Sequence, residues 1–352
     1  MFEFNNLIKI NPYSLNKSNK HNWYLQSQKQ LCSFHYDRCR EYAKISDVFF
    51  KKITKINKLE NLPFVHASLF KDFNLVSVKN HEISRQLSSS GTKGKKSNIF
   101  LDKNTSFIQS RVLNQIFFDL LKEKLKIFFI DKKETLNTNI YSARSAAIKG
   151  FIQFVKKPEF ILNDEMQLDI NKIKNFVKNN PNEKFIIFGF TSLVYEKLLL
   201  EAEKSKKKYI FKNAILIHGG GWKKLENISI SKYNFYKRIK ERLGLHRIHN
   251  YYGMVEQVGS IFIECEEGNL HCSNYSEIII RDKNMKVAKF GQKGLIQILS
   301  LLPLSYPGHN ILTEDVGVIL GEDDCNCSRK GKYFKVIGRV KDADLRGCSD
   351  AY

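Results

Sequence analysis

An α/β architecture with a largely parallel sheet, followed by a smaller β-rich region, is the fold class this sequence predicts. Apolar runs of strand length at Ile127–Ile130, Phe185–Phe190 and Tyr209–Ile217 alternate with helical stretches at Asn171–Lys178, Ser192–Lys204 and Lys232–Leu243. Strands that alternate with helices pair in parallel through crossovers. From Ser260 onward the pattern changes to short strands with turn residues between them: Ile261–Glu264, Glu277–Arg281, Leu295–Leu299, Val316–Leu320 and Phe334–Ile337. A chain of 352 residues with 42% hydrophobic content can bury a large core, which excludes a disordered chain.

Residues 1–80 read as a helical, aromatic-rich segment packed on the main domain, with helices at Cys39–Phe50 and Lys51–Glu60. Residues 81–258 read as the α/β core. It opens with two short strands, Ile83–Leu87 and Asn98–Leu101, and a long helix over Asp102–Lys126. Phe107, Ile108, Val112, Ile116, Phe117, Leu120, Leu121 and Leu125 recur there at helical spacing and are expected in the core. Residues 259–340 form the β-rich subdomain, and 341–352 a short hinge and tail.

The formal charge of +22 suits an anionic partner, either nucleic acid or an anionic membrane surface. The lysines are spread along the chain, however, and no aromatic-and-basic platform or reading helix stands out, so no nucleic-acid partner is expected. Met1–Ser14 lacks the order of a signal peptide, and no apolar run approaches a membrane span. The expectation is a soluble, cytoplasmic, reduced protein whose seven cysteines serve metal, catalysis or packing.

Between the first two core strands lies Ser88-Ser89-Ser90-Gly91-Thr92-Lys93-Gly94-Lys95-Lys96-Ser97, with five hydroxyls, two glycines and three lysines in ten residues. Glycine lets the backbone turn N–H groups inward, and such groups beside lysines form an anion nest. A basic solvated turn has the same composition. A Walker A loop is excluded, because Gly94-Lys95 precedes Lys96 rather than Ser or Thr and the loop joins strand to strand.

His218-Gly219-Gly220-Gly221-Trp222 follows an apolar strand, where glycines permit either close approach to a flat or charged ligand or a plain tight turn. Tyr251-Tyr252-Gly253-Met254-Val255-Glu256 comes next. A carboxylate paired with a phosphate loop implies a divalent cation, and Mg²⁺ takes one or two carboxylates plus phosphate oxygens. Asp315, in Thr313-Glu314-Asp315, sits where it can accept from ribose hydroxyls. Gly338-Arg339-Val340-Lys341 supplies a cation and a hinge. Taken singly, each also suits an ordinary charged strand end.

In this order the motifs resemble the adenylate-forming (acyl-activating) superfamily, and most closely its acyl-protein synthetase, LuxE-like branch. The resemblance implies a large N-terminal adenylate-forming domain with a β-rich subdomain that lacks most of the usual C-terminal lid. It implies ATP phosphates on Ser88, Ser89, Ser90, Gly91, Thr92, Gly94 and Lys96, with Lys93 and Lys95 carrying charge otherwise supplied by the lid lysine. It places adenine against Gly219, Gly220, Gly221, Tyr252 and their neighbours His218, Tyr251 and Gly253. It gives Mg²⁺ to Glu256, ribose to Asp315 and Arg339, and the hinge to Lys341.

Cys348 matches the family's acyl-carrying cysteine. Seven steps from Lys341 to Cys348 span at most about 25 Å, enough for one thiol to swing, and Arg346 favours its thiolate. The implied reaction adenylates a carboxylic acid, which the family suggests is a long-chain fatty acid, and captures the acyl group on Cys348. A reductase, transferase or carrier protein then receives it. Transfer to CoA or a carrier protein, as in phenylacetate-CoA ligases, and a non-catalytic nucleotide-binding scaffold are the alternatives.

Cys265, His271, Cys325 and Cys327 have the donor types of a structural Zn²⁺ site that would clip two β turns, with Cys272 as a substitute ligand. Phenylacetate-CoA-ligase-like proteins are similar in carrying Cys and His at such turns. Ordinary thiols and a surface imidazole are the other reading.

Overall fold

The computed structural model describes residues 8–50, 53–89, 95–136, 143–205, 208–221 and 230–340. In chain order these hold α1 (Lys17–Arg38), α2 (Arg40–Phe49), β1 (Val65–His66), β2 (Ile83–Ser88), β3 (Asn98–Asp102) and α3 (Lys103–Leu121). Then come β4 (Lys126–Phe129), α4 (Ala143–Ile152), β5 (Lys156–Phe160), α5 (Ile170–Asn179), β6 (Phe185–Phe190), a helix α6 over 191–204, β7 (Ala214–Gly219), α7 (Lys232–Leu243) and β8 (Arg247–Tyr252). Strands β9 (Phe262–Ile263), β10 (Leu270–His271), β11 (Ser276–Arg281), β12 (Gly294–Ser300), β13 (Asn310–Glu322) and β14 (Lys332–Arg339) follow. The chain divides into two compact units. One takes the described residues up to 89, 95–119 and 253–340; the other takes those from 120 to 252. Among the described residues, no helix is long and apolar enough to cross a membrane.

The 120–252 unit is the parallel α/β part. Its strands run β5-β4-β6-β7-β8, all parallel. Every residue of β4, β6 and β7 is buried, as expected of strands covered on both faces. Phe128, Ile187 and Leu216 on strands pack in one cluster with Ile173, Leu198 and Ile239 on helices. Sequence periodicity misses β5 because Pro158 interrupts it. The strand is tolerated because it lies at the sheet edge, where a missing N–H breaks no ladder. The strand expected over Tyr209–Ile217 starts only at Ala214. Tyr209 and Phe211 instead donate their N–H groups to Arg242 O and Leu243 O at the end of α7. Gly244 ends α7 with φ +61, and a Cβ there would come within 3.1 Å of Ile210 Cα.

The other unit is built on an antiparallel sheet of order β10-β14-β13-β12-β11, with β1 parallel to β13. The hairpin β2–β3 and helix α3 group with this unit and the N-terminal helices rather than with the parallel sheet. Helix α3 stops at Leu121 rather than Lys126, since Lys122 takes the left-handed φ of 63°. Its stripe is narrower than the spacing suggests. Ile108, Val112, Ile116 and Phe117 are buried, but Phe107 is 58% exposed under the Arg111 guanidinium. The helix expected over Lys51–Glu60 reduces to short turns at Ile53–Lys55 and Leu59–Asn61. Of 53–60 only Ile56 and Leu59 are buried, too few to seat a helical face.

Helix α1, capped by the Asn16 side chain on Asn19 N, carries polar groups inward as well as Tyr24 and Leu31. Lys20 Nζ donates to Ser273 O and Ser276 O and lies 3.2 Å from Glu277 Oε2. Burial raises the Glu277 carboxyl, but Lys20 and Lys332 outweigh it and hold the pKa at about 2. Gln28 Nε2 donates to Ser300 O. His35 stacks on His309 with centroids 4.8 Å apart, and Cys32 Sγ and Tyr42 OH both meet His309 Nε2 at 3.2 Å.

Burial drops the His35 pKa to about 3 against the pull of Pro303 O, and burial beside His35 drops His309 far below its ordinary value. In the unfolded chain both titrate near 6.5, so below that pH the unfolded state binds more protons. Stability is whole above pH ~6.5 and falls as the pH drops, by about 2 kcal/mol per histidine at pH 5. The urea midpoint should therefore be level between pH 7 and 8 and drop between 6.5 and 5, before carboxylates such as Glu277 begin to protonate. A midpoint that stays level through that lower window contradicts the buried neutral pair.

Candidate functional site

Strands β2 and β3 pair antiparallel with Ser88 opposite Asn98, which fixes the base of the hydroxyl- and lysine-rich loop. The base is closed by side chains as well as backbone. Ser89 N donates to Ser97 O at 3.0 Å and Ser97 N to Ser89 Oγ at 2.9 Å, while Ser88 Oγ donates to Asn98 Oδ1. Ser90, Gly91, Thr92, Lys93 and Gly94 lie outside the described residues. Lys95 and Lys96 are exposed, and Lys95 Nζ makes a 3.1 Å ion pair with Asp72. Both partners of that pair face solvent, so it holds the ammonium only weakly.

Glu256 lies in a short turn, Val255–Gln257, and is 3% exposed. Its Oε1 accepts a 2.6 Å hydrogen bond from Ser97 Oγ, also fully buried. Hydroxyl-to-carboxylate bonds of this length are charge-assisted and strong. Gln257 anchors the turn by donating to Ile298 O and Gly308 O. The loop is thus tied through Ser97 to the acid of the Tyr-Gly-x-x-Glu motif, a contact that spacing alone does not reveal. Ser97 stands at the end of the hydroxyl run, and that position is the sequence signal for it.

On the antiparallel sheet, Asp315 of β13 faces Arg339 of β14 in register, with Arg339 Nε 3.1 Å from Asp315 Oδ1. Arg339 Nη2 donates to Glu314 Oε2 at 2.6 Å. Thr313 Oγ1 accepts from Asp315 N, which sets the angle at which the acid leaves the strand. The arginine gives Asp315 a cationic partner on the neighbouring strand. Lys341 and Cys348 lie outside the described residues.

In the parallel unit, β7 ends at Gly219, opposite Tyr251 of β8. A Cβ on Gly219 would lie 2.6 Å from the Tyr251 ring, so only glycine fits. Gly220 and Gly221 follow at φ 85° and 72°, a left-handed pair that turns the chain at the carboxyl end of the sheet. Tyr251 stacks on Phe188, with ring planes 19° apart. Tyr251 and Tyr252 are half-buried, and Gly253, which belongs to the other unit, is exposed.

His218 is buried. Its Nδ1 meets Thr191 Oγ1 and its Nε2 meets Tyr236 OH, both at 2.9 Å. With the Thr191 hydroxyl donating to Gly219 O, Nδ1 carries the imidazole proton and Nε2 accepts from Tyr236. Burial, helped by Lys232 and His249, lowers its pKa to about 3, so the ring is neutral and braces the glycine turn from within. The sequence reading also misses the bidentate pair Arg144–Asp131, with both bonds 2.6 Å, just beyond β4.

The four thiol and imidazole donors do come together. One donor atom from each of Cys265, His271, Cys325 and Cys327 lies within 4.8 Å of all the others. Cys265 and Cys325 sulfurs are 4.0 Å apart, and Cys327 Sγ is 3.3 Å from His271 Nε2. The three cysteines sit on two tight turns closed by Gly268 N to Cys265 O and Ser328 N to Cys325 O, and His271 ends the short strand β10. Burial raises the Cys265 thiol and pushes Cys327 to about 12, so both are neutral thiols with nothing bound. Cys272, though buried, is not among the four.

Comparisons with known proteins bear on the family and the fold. Two long-chain-fatty-acid–luciferin-component ligases align with nearly all of the chain. That of Vibrio harveyi is 23% identical over 93% of this chain and 88% of its own length; that of Aliivibrio fischeri is 22% identical over 93% and 89%. Among solved structures, 2-hydroxyisobutyryl-CoA ligase in an open conformation with 2-HIB-AMP and CoA superposes with a TM-score of 0.73. It is 15% identical and covers 94% of this chain and 77% of that one, so the likeness is one of fold. Its postadenylation state with 2-HIB-AMP also superposes at 0.73, covering 94% and 70%. The model of the family described as acyl-protein synthetase, LuxE, matches residues 3–352. The chain is a member of the LuxE acyl-protein synthetase family, with the fold of an adenylate-forming ligase.

Proposed function

We propose that this chain activates a carboxylic acid, of the long-chain fatty class, as an acyl-adenylate and passes the acyl group through Cys348 to a partner protein. The observation that carries the reading is the family match over residues 3–352, which takes in every motif and the terminal cysteine together. The fatty acid follows from the names of the two similar ligases.

In the first step a carboxylate oxygen attacks the α-phosphorus of ATP, the bond to the β-phosphate oxygen breaks, and pyrophosphate leaves. Backbone N–H groups and hydroxyls of Ser88, Ser89, Ser90, Gly91, Thr92 and Gly94 receive the phosphates. Lys93, Lys95 and Lys96 spread the developing charge. Glu256 offers the hard oxygen donor that Mg²⁺ prefers, and the ion there would neutralise phosphate charge. Gly219, Gly220, Gly221, Tyr251, Tyr252 and Gly253 give the adenine a surface. Asp315 accepts from the ribose hydroxyls, with Arg339 as its ion-pair partner, and Lys341 is the pivot. In the second step the Cys348 thiolate attacks the adenylate carbonyl carbon, the carbon–oxygen bond to AMP breaks, and a thioester forms. A reductase, transferase or carrier protein then takes the acyl group.

The Cys265, His271, Cys325 and Cys327 group suits structural Zn²⁺. A tetrahedral Cys₃His site has S···S edges of about 3.8 Å and S···N edges of about 3.5 Å from its bond lengths, close to the 4.0 and 3.3 Å found.

Incubation with Mg-ATP and a fatty acid should add a hydroxylamine-labile acyl mass to the parent and none to Cys348→Ser, which should still release pyrophosphate. An equal mass gain in the variant overturns the acyl-cysteine step. Pyrophosphate release with no mass gain in the parent assigns the acceptor to CoA or a carrier protein. Elemental analysis of purified protein should find about one zinc per chain, lost in Cys325→Ser/Cys327→Ser together with several degrees of Tm. Parent protein that carries no zinc, and whose Tm does not respond to added Zn²⁺, contradicts the metal site.

A further inference from the structure

The turn between β11 and β12 has a composition that the proposed reaction does not use. Residues 283–293 hold Lys283, Lys286, Lys289 and Lys293 interleaved with Met285, Val287 and Phe290, and contain no acid. All seven side chains are exposed, with Met285 at 38%, Val287 at 49% and Phe290 at 51%. Scattered single apolar residues on a surface are ordinary; three within six positions, each beside an ammonium group, are not. Among the described residues none of the four lysines makes an ion pair.

The segment is held rigidly. Asp282 Oδ1 accepts from the N–H groups of Asn284 and Lys286, so its charge is turned into the loop. Ala288 N donates to Ile280 O and Gly291 N to Ile319 O. Beneath them the buried Arg281 guanidinium donates to Met285 O and Glu60 O. Met285 takes φ 59° and Gly291 φ 83°, the two left-handed positions that turn the loop. The apolar side chains are therefore presented to solvent by a preformed scaffold, and little ordering cost remains for an occupant.

The geometry points to the 283–293 turn as a docking element for an anionic lipid surface, with Met285, Val287 and Phe290 entering the headgroup–acyl boundary and the four lysines on lipid phosphates. Protein interfaces are depleted in lysine, whereas interfacial membrane elements combine lysine with apolar side chains. Each lysine near an anionic leaflet adds to the attraction. Nucleic acid would use the lysines but would leave Met285 and Val287 without a partner.

The test is co-sedimentation of the full chain with vesicles of phosphatidylglycerol and phosphatidylcholine, against phosphatidylcholine alone. Binding is expected to the anionic vesicles only. Met285→Ser/Val287→Ser/Phe290→Ser keeps every charge and should weaken binding about tenfold or more. Charge reversal at the four lysines to Glu should weaken it further than reversal at Lys174 and Lys178 does. The indole introduced by Phe290→Trp should be quenched by brominated lipid chains. These side chains are exposed, so Tm should stay at the parent value. Failure to bind anionic vesicles, serine-variant binding equal to the parent, or indole fluorescence of Phe290→Trp untouched by brominated lipid each overturn the proposal. Capture of an acidic protein or nucleic acid by the same turn without vesicle binding does so too.

Discussion

A buried carboxylate has to be paid for, and how Glu256 meets that demand organises the Ser89–Ser97 closure at the ends of β2 and β3. Taking the charge out of water costs several kcal/mol unless strong donors replace the lost hydration. One such donor is the Ser97 hydroxyl at 2.6 Å. Because Ser97 also takes both a backbone and a side-chain bond with Ser89, the acid and the mouth of the loop hold each other in place across 159 residues of sequence. Under the proposed function, an acid held this way needs no ordering step before it serves the nucleotide.

The same logic runs through the rest of that unit, where polar side chains act as internal fasteners. Lys20 and Lys332 converge on Glu277, Gln28 replaces a sheet partner for Ser300 O, and two imidazoles stack neutral in the dry interior. Such groups are costly when half satisfied and specific when fully satisfied. They make the N-terminal helix part of the sheet's packing rather than a lid laid over it. In the parallel unit, apolar burial on both faces does most of the work, and at the β7 end His218, kept neutral, and Thr191 brace Gly219.

How much of this was legible follows from which physics leaves a local trace. Phe185–Phe190 and Lys232–Leu243 match the structure residue for residue, since doubly covered strands and an amphipathic helix write their periods into adjacent positions. Gly219 and its φ-positive neighbours were legible because only glycine meets those demands. So were the four cysteine and histidine donors, whose chemistry is rare enough to stand out. Tertiary effects were not legible: Pro158 at a sheet edge, the capture of Tyr209 and Phe211 by the end of α7, and the Ser97–Glu256 bond all depend on partners distant in sequence.

The most direct test of the account is acid-dependent exchange of pyrophosphate into ATP, measured for the parent, Glu256→Gln and Ser97→Ala. It reads adenylation alone and does not involve Cys348 or the acceptor. If Glu256 serves the nucleotide and Ser97 positions it, Glu256→Gln should lose about 10²-fold or more. Ser97→Ala should lose less, with both variants folded. Exchange at the parent rate in folded Glu256→Gln would contradict the account.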